Sequence, residues 1–189
     1  MLRSEDRASL EAQRKAFRDY MKGSHALPLV LERSEGYTVE AVISPTAFAR
    51  VRLIVRYIVL SLASISPFCP VKIALYRLLG VKIGRGVCIS PGVVIDPLFP
   101  ELIELEDHAC LGIGCRLFTH EYTVTSFRIG RIRVGKRSVI GTYATVRSGV
   151  AIGARVTVGA SSFVNRDVTD GEVVGGVPAR PLGSSRRSN

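Results

Sequence analysis

The chain has 189 residues, room for one compact domain with appendages or two small ones, which excludes a large multidomain machine. Hydrophobic residues make up 47% and charged residues 22%, with a mean hydropathy of +0.24, so there is ample apolar surface for a core and too much for a disordered chain. Lys and Arg number 26 against 16 Asp and Glu, and the net charge of +10 points to anionic partners.

That charge is unevenly placed. From Arg128 to the end there are eleven Lys/Arg against three acids, whereas from Asp96 to Glu121 six acids face Arg116 alone. Nucleic-acid binding would need aromatics interleaved with the cations, and beyond Arg128 only Tyr143 and Phe163 are available, so no nucleic-acid partner is expected. Cys69, Cys88, Cys110 and Cys115 form no CxxC pair, and the polar start MLRSEDRASL is unlike a signal peptide; a reduced, cytoplasmic chain with inert thiols is expected.

Taken in chain order, residues 1–45 open with a charged stretch, Ser4 to Lys22, whose Leu10, Phe17 and Met21 fall at helical spacing, and continue as an aperiodic connector or wrapping arm. Residues 46–80 read as two helices joined by a turn bracketed by Pro67 and Pro70, a hairpin both apolar and basic. The uncharged run from Tyr57 to Ser66 has ten residues, half of the roughly 20 that a transmembrane helix needs. With Arg50, Arg52 and Arg56 at its N-terminal side, the hairpin is suited either to the membrane interface or to packing against the protein or a neighbouring subunit.

Residues 81–169 change character and repeat every six residues. Aliphatic side chains hold positions 83, 89 and 95, then 105, 111 and 117, then 134, 140, 146, 152, 158 and 164. The next position is Gly in six of these twelve hexads, and the fourth position after each aliphatic is mostly small or β-branched, as at Ala109, Cys115, Ser138 and Ala144. A period of six fits neither a helix nor one ordinary strand. It fits short strands separated by turns that wind round a prism, an all-β solenoid of about four coils in which the aliphatics point inward and Gly serves the turns. Two interruptions break it: four extra residues between Ile95 and Leu105, and a longer excursion over 118–133. Residues 170–189 form a short tail.

The hexads resemble those of the hexapeptide-repeat acyltransferases, which form left-handed parallel β-helices and assemble as trimers. LFTHEY followed by an excursion and a restart at IRVGKRSVIG resembles the active-site region of galactoside, maltose and xenobiotic O-acetyltransferases. The tail GEVVGGVPARPLG resembles that family's closing signature, and RLLGVKIGRGVCI resembles the β-helix entry of polysaccharide acetyltransferases. The resemblance implies an O-acetyltransferase using acetyl-CoA and no metal, acting on a sugar, polysaccharide or glycolipid-type hydroxyl. His120 is the implied general base, a role suited to imidazole near neutral pH. Thr142 and Ala160 would line the pantetheine channel, Asn165 and Arg166 would sit near the adenosine, and Arg180 would reach a phosphate. Asp96 is a candidate contact to the acceptor, and Glu121 a candidate to orient the imidazole or touch substrate. Val139 stands where the family often carries an aromatic, and the small-sugar enzymes' N-terminal cap motif is missing, which favours a larger or membrane-linked acceptor. Two other readings remain: a non-catalytic trimeric scaffold, and a γ-type carbonic anhydrase whose zinc would have to come from His25, His108 and His120.

Overall fold

Residues 4–23, 27–32 and 47–184 are described by a computed structural model of the chain. In chain order the elements are α1 (Ser4–Lys22), β1 (Leu29–Glu32), α2 (Ala47–Ile65) and α3 (Cys69–Leu78), followed by the hexad strands. Coil one contains β2 (Lys82–Ile83), β3 (Cys88–Ile89) and β4 (Val94–Ile95); coil two contains β5 (Ile103–Leu105), β6 (Cys110–Leu111) and β7 (Arg116–Leu117). The excursion is a hairpin of β8 (His120–Tyr122) and β9 (Ser126–Ile129). Coil three has β10 (Ile132–Val134), β11 (Val139–Ile140) and β12 (Thr145–Val146), and coil four β13 (Ala151–Ile152), β14 (Thr157–Val158) and β15 (Phe163–Val164). The tail adds β16 (Glu172–Gly175) and β17 (Arg180–Ser184).

These strands form three parallel faces of a left-handed β-helix, in orders β2-β5-β10-β13, β3-β6-β11-β14-β16 and β4-β7-β12-β15, with β17 closing the second face antiparallel to β16. Register stacks each inward aliphatic on its counterpart one coil away: Ile83, Leu105, Val134 and Ile152 on the first face, Ile89, Leu111, Ile140 and Val158 on the second, Ile95, Leu117, Val146 and Val164 on the third. All twelve lie in or against one continuous core. Cys115 is buried in it, and desolvation pushes its thiol up to about 12, an inert group; Cys88, by contrast, is exposed on the outer face.

The glycines work differently from the turn role their position suggested. Gly112 and Gly141 lack a positive φ, but a Cβ on them would come within 2.7 Å of the Thr142 amide nitrogen and 2.6 Å of the Ala160 amide nitrogen in the next coil. They are needed for coil-to-coil approach. The left-handed residue falls two positions later, where His108, Arg137, Tyr143, Arg155 and Ser161 adopt φ of 56–61° alongside glycines.

An open coil end exposes unpaired strand groups, and α3 covers it. Lys72 Nζ donates to the Ile89 carbonyl (3.2 Å), Tyr76 Oη to that of Val93 (3.2 Å) and Arg77 to that of Ile83 (2.8 Å). Leu60 and Ala63 of α2 join the same core, while Val51, Ile54, Val55, Ile58, Leu62 and Ile65 form an exposed apolar stripe. Among the described residues, no helix is long and apolar enough to cross a membrane.

The expected connector contains β1, which pairs antiparallel with β9 and extends the hairpin to three strands. A second hydrophobic cluster then joins α1 (Leu10, Phe17, Tyr20), β1 (Leu31), the first interruption (Phe99, Leu102) and the hairpin (Phe127, Ile129). This cluster sets α1 beside the place where the chain leaves coil two.

Candidate active site

Ile95 and Leu117 stack at the end of the third face, so the residues that follow each are carried to the same corner. Asp96 comes first from coil one, and Thr119 and His120 come from coil two. Asp96 Oδ2 accepts hydrogen bonds from the backbone N–H of Thr119 (2.8 Å) and of His120 (3.0 Å), and lies 2.5 Å from His120 Nδ1; Oδ1 accepts from the Leu98 N–H (2.9 Å). Burial of this fully enclosed carboxyl opposes ionisation, but the bonds from His120, Thr119 and Leu98 outweigh it and hold its pKa below the ordinary value. An ionised Asp96 fixes the proton of His120 on Nδ1 and leaves Nε2 as the ring's free acceptor. Phe99 and Tyr122 meet the imidazole edge-on at 6.1 and 5.2 Å, and Phe127 lies tilted at 5.9 Å.

His120 opens into a cavity of about 560 Å³, in the size range of small-molecule sites. Its walls are the inner faces of α1 (Phe17, Arg18, Met21, Lys22) and α2 (Arg52, Leu53, Arg56, Tyr57), closed by the interruption between Leu98 and Glu101 and by Tyr122. Arg56 is fixed by bonds to the Leu98 carbonyl (2.7 Å) and Glu101 (3.3 Å).

The family profile described as "Hexapeptide repeat of succinyl-transferase" matches residues 131–166. The Bacillus subtilis protein named "Putative acetyltransferase YvoF" is 35% identical over 130 residues, 68% of this chain and 76% of its own. The chain belongs to the hexapeptide-repeat acetyltransferases. The fold of this acetyltransferase agrees with solved structures. A Vibrio cholerae hexapeptide-repeat acetyltransferase, VCA0836, crystallised with acetyl-CoA, superposes with a TM-score of 0.60 over 75% of this chain and 91% of its own at 24% identity. A maltose O-acetyltransferase from Clostridium difficile does so with 0.61 over 75% and 90%, at 14% identity.

The remaining candidates of the acetyltransferase fall at several places. Asp96, expected at the acceptor, is instead fully buried with both oxygens satisfied inside the protein, so it holds His120 rather than facing a ligand. Glu121 does not touch the imidazole. Adjacent residues on an extended strand point apart, and Glu121 binds Arg147 Nε (2.8 Å) and the Ser148 hydroxyl (2.8 Å). Thr142 and Ala160 stack on the corner between the second and third faces, where the Ser161 N–H donates to the Thr142 carbonyl (2.8 Å). Asn165 shares the His120 corner, two coils on, or about 10 Å along the prism at the usual strand spacing. Arg166 and Arg180 are exposed and each donates to a carbonyl next to it in sequence. Within one chain, therefore, His120 and the Thr142–Ala160 ladder occupy different corners. His108 sits on the remaining corner, away from His120, and His25 lies outside the described residues. Asp96 as the partner of His120, the aromatic walls and the cations of α1 and α2 were all missed by sequence reasoning; the one available signal was that Asp96 follows Ile95, the stacking partner of Leu117.

Proposed function

We propose that this acetyltransferase moves an acetyl group from acetyl-CoA directly to a hydroxyl of a sugar, polysaccharide or glycolipid-type acceptor, with His120 as general base. The observation that carries this reading is the Asp96–His120 pair, which leaves Nε2 free on a residue that lines the cavity. Nε2 takes the hydroxyl proton as the oxygen attacks the thioester carbonyl carbon. The C–S bond then breaks, the thiolate leaves with the electron pair, and Nε2 returns the proton to sulfur. Asp96 stabilises the imidazolium in between, as a carboxylate does for a positioned histidine.

The donor fits the far side of the prism. Backbone groups along the Thr142–Ala160 corner suit the amides of pantetheine, and the guanidinium groups of Arg166 and Arg180, each exposed and with N–H groups to spare, suit phosphates. With His120 and Thr142 on different corners, a homotrimer completes each site by setting the Thr142 corner of one copy against the His120 corner of the next. The apolar stripe of α2 lies outside the cavity, with Arg50 at its N-terminal end, and we assign it to the surface of an anionic membrane.

The test is His120→Ala in the full chain. Thiol release should fall by about 10²–10⁴, the usual worth of a positioned base, with calorimetric affinity for acetyl-CoA unchanged. Arg180→Ala should weaken that affinity. Turnover retained without His120 rejects the assignment.

A further inference from the structure

The cavity over His120 has an unusual lining for a neutral sugar. Sugar hydroxyls both donate and accept, so acceptor groups such as carboxylates and amides suit them; among the described residues this lining has Glu101 alone and no Asp, Asn or Gln. Four cations line it instead. Arg56 is committed to Glu101 and the Leu98 carbonyl. Arg18, Lys22 and Arg52 are exposed at the rim, and none forms an ion pair among the described residues. Guanidinium and ammonium groups only donate, so whatever they bind must bring acceptors.

Their spacing strengthens the argument. Arg18 and Lys22 stand one turn apart on α1, and Arg52 and Arg56 one turn apart on α2. Like charges at that spacing oppose their own helices; Arg56 is held by Leu98 and Glu101 and Lys22 suits the last turn of α1, but among the described residues no contact within the fold explains the place of Arg18 and Arg52. Both pairs face the same cavity, and Phe17 of α1 packs on Phe99 at 5.6 Å, which holds α1 against the site. Long cationic side chains on the rim of a recess with apolar walls raise the local concentration of an anion and fix its orientation.

The geometry points to an acceptor that is itself anionic, a hydroxyl compound whose phosphate or carboxylate is held by Arg18, Lys22 and Arg52 while its hydroxyl meets His120. This deepens the transferase reading and rests on it. The donor's phosphates are the competing occupant of these cations, but the pantetheine arm separates them from the thioester that must lie at His120.

The test uses the full chain labelled on histidine, with the His120 signal assigned from His120→Asn, titrated with glucose, glucose 6-phosphate and glucuronate at physiological salt. Glucose 6-phosphate or glucuronate should move the His120 signal saturably, at least tenfold more tightly than glucose. A response to the phosphate alone names a phosphorylated acceptor; a response to glucuronate names a uronate. The double variant Arg18→Gln/Arg52→Gln changes only exposed side chains and should weaken the anion at least tenfold, leaving calorimetric acetyl-CoA affinity within twofold. Glucose binding as well as the anions, none of the three reaching His120 at millimolar concentration, or the double variant losing acetyl-CoA affinity overturns the anionic acceptor. The transferase reading fails separately, if acetyl-CoA itself does not bind.

Discussion

Replacing Asp96 separates a carboxylate that only closes a turn from one that holds a base. Its two oxygens accept from Thr119 N, His120 N, His120 Nδ1 and Leu98 N at 2.5–3.0 Å in a site with no exposure. Asparagine fits the same space with a single acceptor oxygen. Turned toward His120, that oxygen keeps three of the four bonds and the Nδ1–H tautomer, and the amide NH₂ meets the Leu98 N–H, so both lack an acceptor; each buried donor left unmet costs about 1–3 kcal/mol. Turned the other way, two backbone N–H groups lose their acceptor, so the first orientation wins. What asparagine cannot supply is charge. A hydrogen bond to a charged group contributes about 1.5–3 kcal/mol against about 0.5–1.5 for a neutral one, so the imidazolium formed during transfer loses about 1–1.5 kcal/mol, near tenfold in rate. Asp96→Ala removes all four bonds, costs about 3–5 kcal/mol of stability as a broken buried pair does, and unanchors the ring, so its rate should approach that of His120→Ala, down about 10²–10⁴. Thiol release from acetyl-CoA, measured beside urea unfolding so that the folded fraction is known, should give the graded series wild type, Asn, Ala. Wild-type turnover in both variants refutes the positioning role, and equal losses in both place the effect in the fold rather than in the charge.

Other expectations follow from the same geometry. Asp96 and Glu121 both have pKa values held down in the folded chain, so the stability they contribute is present above their ordinary values of 3.8 and 4.5 and is lost as pH falls through the lower folded ones; Asp96→Asn should flatten that loss in a series of acid melts. Glu121→Gln weakens a half-exposed pair with Arg147 and should change turnover less than threefold, since it touches neither His120 nor the cavity, and a hundredfold loss would restore it as an orienting group. Gly141→Ala forces a Cβ to 2.6 Å from a neighbouring coil's backbone and should cost about 1–3 kcal/mol on thermal unfolding, whereas Gly159→Ala, with its nearest contact at 3.4 Å, should cost less; equal effects would deny that coil spacing is what the glycines serve. The full chain should float with vesicles containing anionic lipid, and Ile54→Asp/Ile58→Asp should remain in the soluble fraction with its oligomeric state intact; loss of the oligomer instead would assign the α2 stripe to a subunit contact.

The prism was legible in the sequence because each inward position stacks on the same kind of residue one coil away, so the period survives both interruptions: Leu117 and Val146 remain partners although a hairpin stands between them. The purpose of the glycines was not legible, because it depends on the distance to another coil rather than on the residue's own backbone; Tyr143 and Arg155 show that the turn itself tolerates side chains. His120 stood out by its chemistry and its place before the excursion. Its partnership with Asp96 spans 24 residues, a coil of 18 plus the interruption and two further steps, and that sum has meaning only once the path of the interruption is fixed by Phe99 and Leu102 in the second cluster. The cationic cavity was the least legible part. Helical spacing predicts which face of α1 is buried, but not what its other residues look toward, so Arg18 and Lys22 are indistinguishable in sequence from a solvated surface. They become a wall of the site because Phe17, on the same helix, packs on Phe99 from the loop that also carries Asp96. One interruption thus positions Asp96, the partner of His120, and docks the helix proposed to select the acceptor, so its length should be far less tolerant of change than the 123–125 tip of the hairpin.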